Sequence, residues 1–558
     1  MSWLKSLFGV GDNVPTVAPK GRNVPSSAYM RGHNSGLFSS WNPILRDPKE
    51  DVRAAYWQSA ARTIDMLHNS GWLSGVVTKS VGNIIGTGLR LNSKPDYEAL
   101  GWDAKAANDW ARMIERRWEL WSNTPLEVDA AGKHDIHQLC ASALRSWYAM
   151  GEYVAWTRWI ERSSSQTATK IQLIPANRLI QDSDDTQGVY QGVRVDKTGL
   201  PVAYRFNFGP NLKQLAAFTE IAARDKENRP IITHAFGGDI GQMRGISVFA
   251  PVLQVLRQYD QLANATLSSA LNQAIIAATI ESPSPTQDVL QAFQDPNEQG
   301  LGGDLDCYMD ARAGWYENTN FDLNGQSKIV HLFAGEKLDF KRSETPNSNY
   351  EPFVRWLLRE ISGAGGFTFE DMTGDYTGAT YSSIKMATNT NWPIQLWRRQ
   401  HIAAPLYQSA YDAWLEEELE SGRVSIPGGL DTFYANRAAI LRCDWRGPSK
   451  PIPDEVKFAN ANSTLYGMGV ISAEYIASEM GYDIEDIYDQ LQREKEMREE
   501  RGLPDPQVIT PAPDPIEVAE ATAGIREQVS EEKAAEKEEA PKPKRKRAAS
   551  VKKAIPDA

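Results

Sequence analysis

Apolar residues recur every three or four positions along one long stretch of the chain, between Val248 and Ile280. This spacing places them on one face of an α-helix, which at 1.5 Å per residue would be roughly 50 Å long. Ser247 is a candidate N-cap, and the prolines of ESPSP at 281–285 provide the stop signal. Alanine replaces larger side chains near the end of the stretch, which favours close packing against neighbouring helices. The residues of the predicted packing stripe are Val252, Leu256, Tyr259, Ala263, Leu267 and Ala270.

Two further helical patterns follow in the second half of the chain. NYEPFVRWLLREISGAGG, at 349–366, predicts a helix that ends in glycines. A longer pattern runs from Tyr381 to about Glu420 and contains Pro393 and Pro405. Each proline removes one backbone hydrogen bond, so we expect bends at these two positions.

The first half of the chain combines helices with strands. A helical pattern from Asp51 to about Trp159 carries tryptophans, which we interpret as core residues. Residues 193–206 alternate between apolar and polar side chains on both sides of Asp-Lys-Thr-Gly at 196–199, which predicts a hairpin with a four-residue turn. The fold class is therefore α+β and mainly helical. The tryptophans assigned to the core are Trp110, Trp118, Trp121, Trp147, Trp156 and Trp159.

A glycine-rich turn, GGDIGQMRG at 237–245, precedes the long central helix and raises the question of a nucleotide site. Phosphate-binding loops need GxGxxG after a strand or GxxxxGK[ST], because backbone N–H groups and a lysine must converge on phosphate oxygens. The glycines here fit neither spacing. The pattern therefore favours a simple turn that starts a helix.

Composition narrows the class of protein. The 558 residues are enough for more than one structural unit, and 41% are hydrophobic. The net charge of −12 argues against a protein that coats nucleic acid through bulk basicity. The three cysteines lie far apart without CxxC spacing, which excludes a cysteine zinc site and fits a reducing compartment. The chain shows neither a signal-peptide pattern nor an apolar run of membrane-spanning length, so a cytosolic start is expected.

The two ends of the chain differ from its middle. Residues 1–48 are rich in glycine, proline, serine and asparagine and predict a flexible N-terminal arm. Residues 504–558 begin rich in proline, alanine and glutamate, become acidic, and end in the basic run KPKRKRAASVKK. This composition predicts a disordered charged tail. The basic end is equally compatible with contact to DNA or an acidic partner and with a plain solubilising tail.

Candidate catalytic chemistry is sparse. His134 and His137 lie one helical turn apart in KHDIHQL, but no third metal ligand can be identified, which favours surface or capping roles. The adjacent acids at 416–418 are interpreted as a solvated helix face rather than an acid/base pair. The sequence thus predicts no enzyme, no catalytic or metal site and no cofactor.

Several segments resemble the lambda family of phage portal proteins. They are NSGWLSGVVTKSVGNIIGTGLRL at 69–91, RGISVFAPVLQVLRQYDQLANA at 244–265, FEDMTGDYTGATYSSIKMA at 369–387 and AAPLYQSAYDAWLEEEL at 403–419. These blocks follow the family's order between about residues 40 and 503. The segment TNTNWP departs from the family pattern, since a regular helix former would be expected there.

The resemblance implies a portal fold with a wing, a two-helix stem, a clip, a tunnel loop and a crown, assembled as a ring. The implied boundaries follow from matching segments in order. They are a wing at 49–247, a first stem helix at 248–282, a clip at 283–346, a second stem helix at 347–366, a tunnel loop at 367–380, a long kinked wing and crown helix at 381–420, and a C-terminal wing and crown region at 421–503.

The resemblance also implies function and partners. Such a protein would form a channel at one capsid vertex for DNA packaging and ejection, as a head–tail connector with double-stranded DNA inside a ring that is expected to be dodecameric. Implied partners are the terminase large subunit, the major capsid and scaffolding proteins, and neck or head-completion proteins, with no membrane. The expected location is the virion, with the host cytoplasm during assembly. Two alternatives remain open: a monomeric DNA-binding assembly adaptor and a nucleic-acid-processing enzyme.

Residues expected to face DNA follow from the implied tunnel loop, because small polar side chains suit a loop beside moving DNA. They are Thr373, Gly374, Asp375, Thr377, Gly378 and Thr380. Three cations downstream, Lys385, Arg398 and Arg399, are candidates for transient contacts with the DNA backbone. The simpler reading of these three is that they are solvated helix charges.

Overall fold

The computed structural model describes residues 43–210, 218–275, 279–281, 310, 313–314, 337–339, 349–451, 455–482 and 484–504. Internal contacts divide the chain into two compact units. The first comprises Met1–Thr377 with Pro393–Trp445, and the second comprises Gly378–Trp392 with Arg446–Ala558. The predictions for the arm, the clip and the tail fall almost wholly outside the described residues.

Helices of the N-terminal part of the first unit begin at side chains that satisfy free N–H groups. Asp47 accepts from Lys49 N–H at 3.2 Å, and Asp135 forms a capping box with Gln138. These helices are α1 (Pro48–Asn69), α2 (Gly71–Ile85), α3 (Tyr97–Leu100), α4 (Ala104–Ser122), α5 (Pro125–Val128) and α6 (Ile136–Met150).

The strands of this part are β1 (Arg90–Ser93), β2 (Glu152–Trp159), β3 (Thr169–Ile174), β4 (Val189–Tyr190), β5 (Val193–Val195), β6 (Pro201–Phe206), β7 (Thr219–Ala222) and β8 (Ile232–Phe236). They form a three-stranded sheet in the order β3-β2-β8 and a four-stranded sheet in the order β4-β5-β6-β7. The predicted hairpin is confirmed, since Val193 pairs with Tyr204 in antiparallel register. Its turn spans 196–200, one residue more than predicted, because Val195 pairs with Pro201.

Four of the six tryptophans that the sequence assigned to the core are buried in it, as predicted. The ring of Trp118 lies between 5.0 and 5.6 Å from four other aromatic rings: Trp121, Tyr411, Trp414 and Trp445. Trp110 and Trp147 are also buried. The prediction is wrong for Trp159, which is 63% exposed because it lies at the last position of β2. Trp156 is half-buried.

The glycine-rich turn encloses a buried ion pair instead of forming an open loop. Gly245 approaches the backbone of Gly151 so closely that a Cβ at residue 245 would lie 2.1 Å from Gly151 O. The Gly245 N–H donates to Glu152 Oε2 at 2.8 Å, and the Arg244 Nε donates to the same carboxylate. Glycine is therefore needed here for a close backbone approach.

The central helix is shorter than predicted. A 3₁₀ turn at Ala250–Val252 leads into α7 (Leu253–Ile275), about 34 Å long. The prediction of helix to residue 282 is wrong at its end, where Thr279–Glu281 forms β9 and pairs with β10 (Lys337–Asp339). The β-branched pair Thr279 and Ile280 suits a strand, and the cross-strand hydrogen bonds decide its conformation.

The next helix, α8 (Tyr350–Gly365), confirms the second predicted helix and ends at Gly366, whose φ of 68° is left-handed. Then come α9 (Phe369–Thr373) and α10 (Tyr381–Arg398), which continues through Pro393. A π-helical turn at Arg399–Ala403 joins it to α11 (Ala404–Glu420), where Ala404 N–H donates to Arg399 O. Pro405, which has no N–H, is the second residue of α11.

The first unit ends with α12 (Gly429–Ala435), α13 (Arg437–Ile440) and most of β11 (Cys443–Arg446), which pairs with β1. The described helices of the second unit beyond α10 are α14 (Glu455–Gly467), α15 (Ala473–Glu479) and α16 (Ile484–Arg501). None of the helices in the described residues has both the length and the hydropathy of a bilayer span.

Candidate functional site

The first half of the predicted packing stripe anchors α7 inside its own subunit. Val252 and Leu256 are 3% and 2% exposed and belong to the main core. The Tyr259 hydroxyl accepts from Trp72 Nε1 at 2.7 Å. The prediction that Val252 and Leu256 pack against neighbouring subunits is therefore wrong, because both side chains are already buried within their own subunit.

The second half of the stripe has a different environment. Ala263 and Ala270 are partly buried, whereas Leu267 is 59% exposed, and Leu271 beside them is also exposed. Within the subunit α7 packs against α8, which buries Leu357, Leu358 and Ile361 on its inner face. The described part of the chain thus leaves a run of apolar side chains on α7 uncovered.

Two aromatic residues on α8, the helix that packs against α7, are also exposed. Phe353 and Trp356 are about half exposed, and their rings stack with centroids 6.2 Å apart. Together with Leu267 and Leu271 they define what we call the apolar helix face. Large exposed apolar groups on neighbouring helices are typical of protein–protein contacts.

The predicted loop at 367–380 contains a short helix, which corrects the expectation of a continuous loop. Helix α9 starts with a capping box in which Thr368 Oγ1 accepts from Asp371 N–H at 2.8 Å. Phe367 and Met372 are buried, so this first half of the segment is anchored in the subunit. The exposed part begins at Gly374, whose φ of 68° ends the helix.

Asp375 organises the exposed part of the loop. Its Oδ1 accepts from Thr377 N–H at 2.9 Å, and its Oδ2 accepts from Arg355 Nη2 at 2.7 Å. The hydrogen bonds from Thr377, followed by the Arg355 guanidinium, hold the pKa of this carboxyl below its usual range. Thr373 Oγ1 accepts from Asp375 N–H at 3.1 Å. Further along, Thr380 exchanges hydrogen bonds with Ser383 in the first turn of α10.

Two of the three candidate channel cations are buried and donate hydrogen bonds inside the subunit. Arg398 is 5% exposed and donates to Tyr148 Oη at 3.0 Å and to Gly365 O at 2.5 Å. Arg399 is 9% exposed and donates to Ile84 O at 2.7 Å, and burial lowers its pKa to about 10. Their burial is incompatible with the predicted contact to passing DNA. Lys385 lies exposed on α10.

The three adjacent glutamates of α11 are buried, which corrects their interpretation as a solvated face. Glu416 accepts from Arg229 at 2.7 Å and from Arg437 at 2.8 Å. Glu418 pairs with two further arginines, Arg117 and Arg423. The pairs with Arg229 and Arg117 tie α11 to segments that are far away in the sequence.

The middle one of the three glutamates, Glu417, caps a strand. Glu417 accepts from the backbone N–H groups of Ala168 at 2.6 Å and Thr169 at 2.9 Å. Thr169 is the first residue of β3, so the carboxylate supplies the hydrogen bonds that this strand end lacks.

The two histidines considered as metal ligands do not converge. His134 precedes the helix, which begins at Ile136, and its Nδ1 lies 3.7 Å from Asp129 Oδ2. His137 Nδ1 lies 2.9 Å from Tyr407 Oη, and burial lowers its pKa. Within the described ranges, no group of three or more His, Cys, Asp or Glu side chains has the geometry of a metal site.

A cavity of about 550 Å³ lies between β8 and α11. Asp412 lines it and accepts from Gln408 Nε2 at 2.8 Å, and burial raises the pKa of Asp412 to about 6. Neither this carboxyl nor the cavity carries a signal in the sequence, because the lining combines residues from separate segments.

Comparison with known proteins identifies the family to which the chain is similar. A family model described as phage portal protein, lambda family, matches residues 34–399. Portal protein B of Escherichia phage lambda is 26% identical over 508 residues, which cover 89% of this chain and 93% of that protein. The portal protein of Escherichia phage N15 is 25% identical over 485 residues, with coverage of 85% and 91%. Among solved structures, a chain from the neck of an empty GTA particle computed with C6 symmetry aligns at 14% identity with a TM-score of 0.40, covering 75% of this chain and 93% of that chain.

The family match spans more than half of the chain, so the protein belongs to the lambda family of phage portal proteins. The resemblance inferred from the four segments is confirmed. The protein is accordingly a phage portal protein with the mainly helical α+β portal fold, and it is a component of the virion at the capsid vertex.

Proposed function

We propose that copies of this portal protein close a dodecameric ring whose central channel passes double-stranded DNA during packaging and ejection. The apolar helix face carries this proposal. Leu267, Leu271, Phe353 and Trp356 are each about half exposed or more, although they lie on helices that pack together. A neighbouring copy that covers this face would remove these side chains from water.

A ring requires that this face contacts a different surface of the neighbouring copy. We propose such a heterologous contact, in which α7 and α8 of one copy pack against another surface of the next. Heterologous contacts form a closed ring when the rotation between successive copies divides a full turn. Helices α7 and α8 would then act as the two stem helices, with the alanines near residues 263 and 270 allowing close approach.

The exposed part of the loop suits a position next to DNA. Gly374 and Gly378 adopt positive φ values of 68° and 76°, and the side chains at 375, 377 and 380 are polar. We propose that this part of the tunnel loop faces the duplex. Transient polar contacts would restrain DNA without the strong phosphate binding that would stall its movement.

The remaining partners follow from the same role. The clip would dock the large terminase subunit during packaging and neck or head-completion proteins afterwards, and the wing and crown would contact capsid and scaffolding proteins. We infer a channel and assembly role without catalysis, in which the motor's ATPase supplies the energy for translocation. Assembly would take place in the host cytoplasm.

Native mass spectrometry together with averaged electron micrographs of the purified protein tests the ring. The expected result is a closed ring of subunits with a central hole. A discrete mass of one subunit at all concentrations would overturn the proposal, and steeply salt-dependent DNA binding by that monomer would support an adaptor instead. Metal-dependent nuclease assays on the same sample would reveal an enzyme, and we expect no cleavage.

A further inference from the structure

We propose that Arg355 and Asp375 form an electrostatic latch that holds the exposed loop segment 374–377 against α8. An approaching DNA phosphate would open the latch by taking the place of the carboxylate on the same guanidinium. This inference rests on the proposed function, because it requires the loop to face DNA.

The geometry places Arg355 between two carboxylates. Its Nη2 lies 2.7 Å from Asp375 Oδ2 on the loop, and its Nε lies 3.3 Å from Glu351 Oε1 one turn earlier on α8. One guanidinium therefore bridges the helix and the loop. Glu351 belongs to the same helix as Arg355, so of these two contacts of the guanidinium only the one with Asp375 joins the loop to α8.

Asp375 transmits this restraint to the backbone. One carboxylate oxygen faces Arg355, while the other accepts from Thr377 N–H at 2.9 Å. Loss of the Arg355 contact leaves the carboxylate bound only within the loop, by Thr377, and the turn at 375–377 is then no longer attached to α8.

The preceding helix is held by other contacts and would stay in place. Met372 is 3% exposed, and Lys79 Nζ donates to Asp371 O at 2.8 Å. The Arg359 guanidinium lies 5.4 Å from the centre of the Phe369 ring, one helical turn after Arg355. Opening the latch would therefore move residues 374–377 and leave α9 anchored.

The solvation of the pair makes the exchange feasible. The side chains of Arg355 and Asp375 are 30% and 33% exposed, so water and salt weaken their attraction. A guanidinium binds phosphate oxygens in the same forked geometry as carboxylate oxygens. A phosphate near Arg355 would also repel Asp375, which drives the loop away from the helix.

Hydrogen–deuterium exchange at Thr377 N–H in the assembled protein tests the latch directly. Arg355→Gln should increase this exchange severalfold, because the carboxylate that accepts the hydrogen bond is no longer fixed. Glu351→Gln is the matched control, since it removes the other partner of the same guanidinium and should leave exchange unchanged. Equal exchange in Arg355→Gln and the wild type, or an equal increase in both variants, would overturn the proposal.

Charge reversal and salt provide readouts that a purely structural role would not affect. The double variant Arg355→Glu with Asp375→Arg should restore the resistance of residues 374–377 to limited proteolysis relative to Arg355→Glu alone; exchange at Thr377 is not the readout for this pair, because arginine at position 375 cannot accept from the Thr377 N–H. Salt should raise exchange at Thr377 in the wild type and have less effect in Arg355→Gln. Absence of both effects would refute an electrostatic latch.

Short duplex DNA added to the rings tests the exchange step. It should raise exchange at Thr377 in the wild type but not further in Arg355→Gln. If the variants behave as expected and DNA has no effect, the latch holds but its opening by phosphate is refuted. If the wild type forms no rings, the proposed function fails, whereas the variant comparison in isolated subunits still decides whether the latch exists.

Discussion

The guanidinium of Arg244 and the carboxylate of Glu152 form a fully buried ion pair, with Arg244 Nη2 2.5 Å from Glu152 Oε1. Tyr56 Oη and His234 Nε2 complete the hydrogen bonds of the carboxylate. Burial alone would raise the pKa of Glu152, but Arg244 and then the His234 hydrogen bond outweigh it and lower the pKa to about 2. The pair joins the glycine-rich turn to β2, next to the start of α7.

Glu152→Gln should strongly destabilise the first unit. The substitution leaves the Arg244 charge buried without a counter-ion, which costs about 3–5 kcal/mol. The midpoint of urea denaturation should fall accordingly. Asp260→Asn is the control, because Asp260 also pairs with an arginine, Arg257, but both side chains are about half exposed or more, and its loss should cost about 1 kcal/mol or less. Equal effects of the two substitutions would contradict the role given to burial.

Glu417→Ala should destabilise the protein more than Glu420→Ala on the same helix. The first change leaves two backbone N–H groups at the start of β3 without acceptors, at a cost of about 2–4 kcal/mol. Glu420 is exposed, and its removal should change the free energy of unfolding by less than about 1 kcal/mol. Denaturant titrations of both variants check this difference, and similar losses would show that the cap contributes little.

Asp412→Asn should stabilise the protein near neutral pH. Burial favours the protonated carboxyl and raises its pKa from 3.8 to about 6, so the wild type loses stability as pH rises through this window. Asparagine stays neutral and can still accept from Gln408. We expect a gain of about 1–3 kcal/mol above pH 6 that disappears below about pH 4. Thermal unfolding across pH checks it; a gain that does not vary with pH would contradict the assignment to ionisation.

Trp356→Glu should prevent assembly and leave the subunit folded. The side chain is 59% exposed in the subunit, so the substitution disturbs little of the core, but it places a charge in the proposed contact between copies. Native mass spectrometry should then show single subunits with unchanged circular dichroism. Leu120→Glu, at a 73% exposed position on α4, is the control and should still assemble. Intact rings of the Trp356 variant would exclude this face from the interface.

Local patterns predicted most of the helices, but the helical pattern expected up to about Trp159 was wrong at its end. The helix α6 ends at Met150, and Glu152–Trp159 forms β2, whose conformation depends on pairing with β3 and β8. The periodicity of α7 is visible because helical hydrogen bonds join residues four apart. Its end at Ile275 was missed, since the strand at 279–281 depends on a partner at 337–339 that no local pattern reveals. The hairpin at 193–206 was found because both strands and the turn are adjacent in the sequence.

The burial of charged residues could not be predicted from the sequence. Glu416, Arg398 and Arg399 follow a spacing that is equally common on solvated helices. Their partners come from distant segments, such as Arg229 for Glu416 and the carbonyl of Ile84 for Arg399. The Arg355–Asp375 contact was missed for a similar reason, because the loop folds back onto a helix that precedes it.

The π-helical turn at Arg399–Ala403 has a consequence for how the gene tolerates insertions and deletions. The turn carries one residue more than an α-helical turn, so it advances the phase of all downstream side chains by about 100°. Deleting a single codon there would yield a regular helix but rotate Tyr407, Tyr411 and Trp414 away from their places in the core. The extra residue thus sets the helical phase of the core aromatic residues that follow. Its deletion should lower the stability of the protein as much as the loss of one core aromatic side chain.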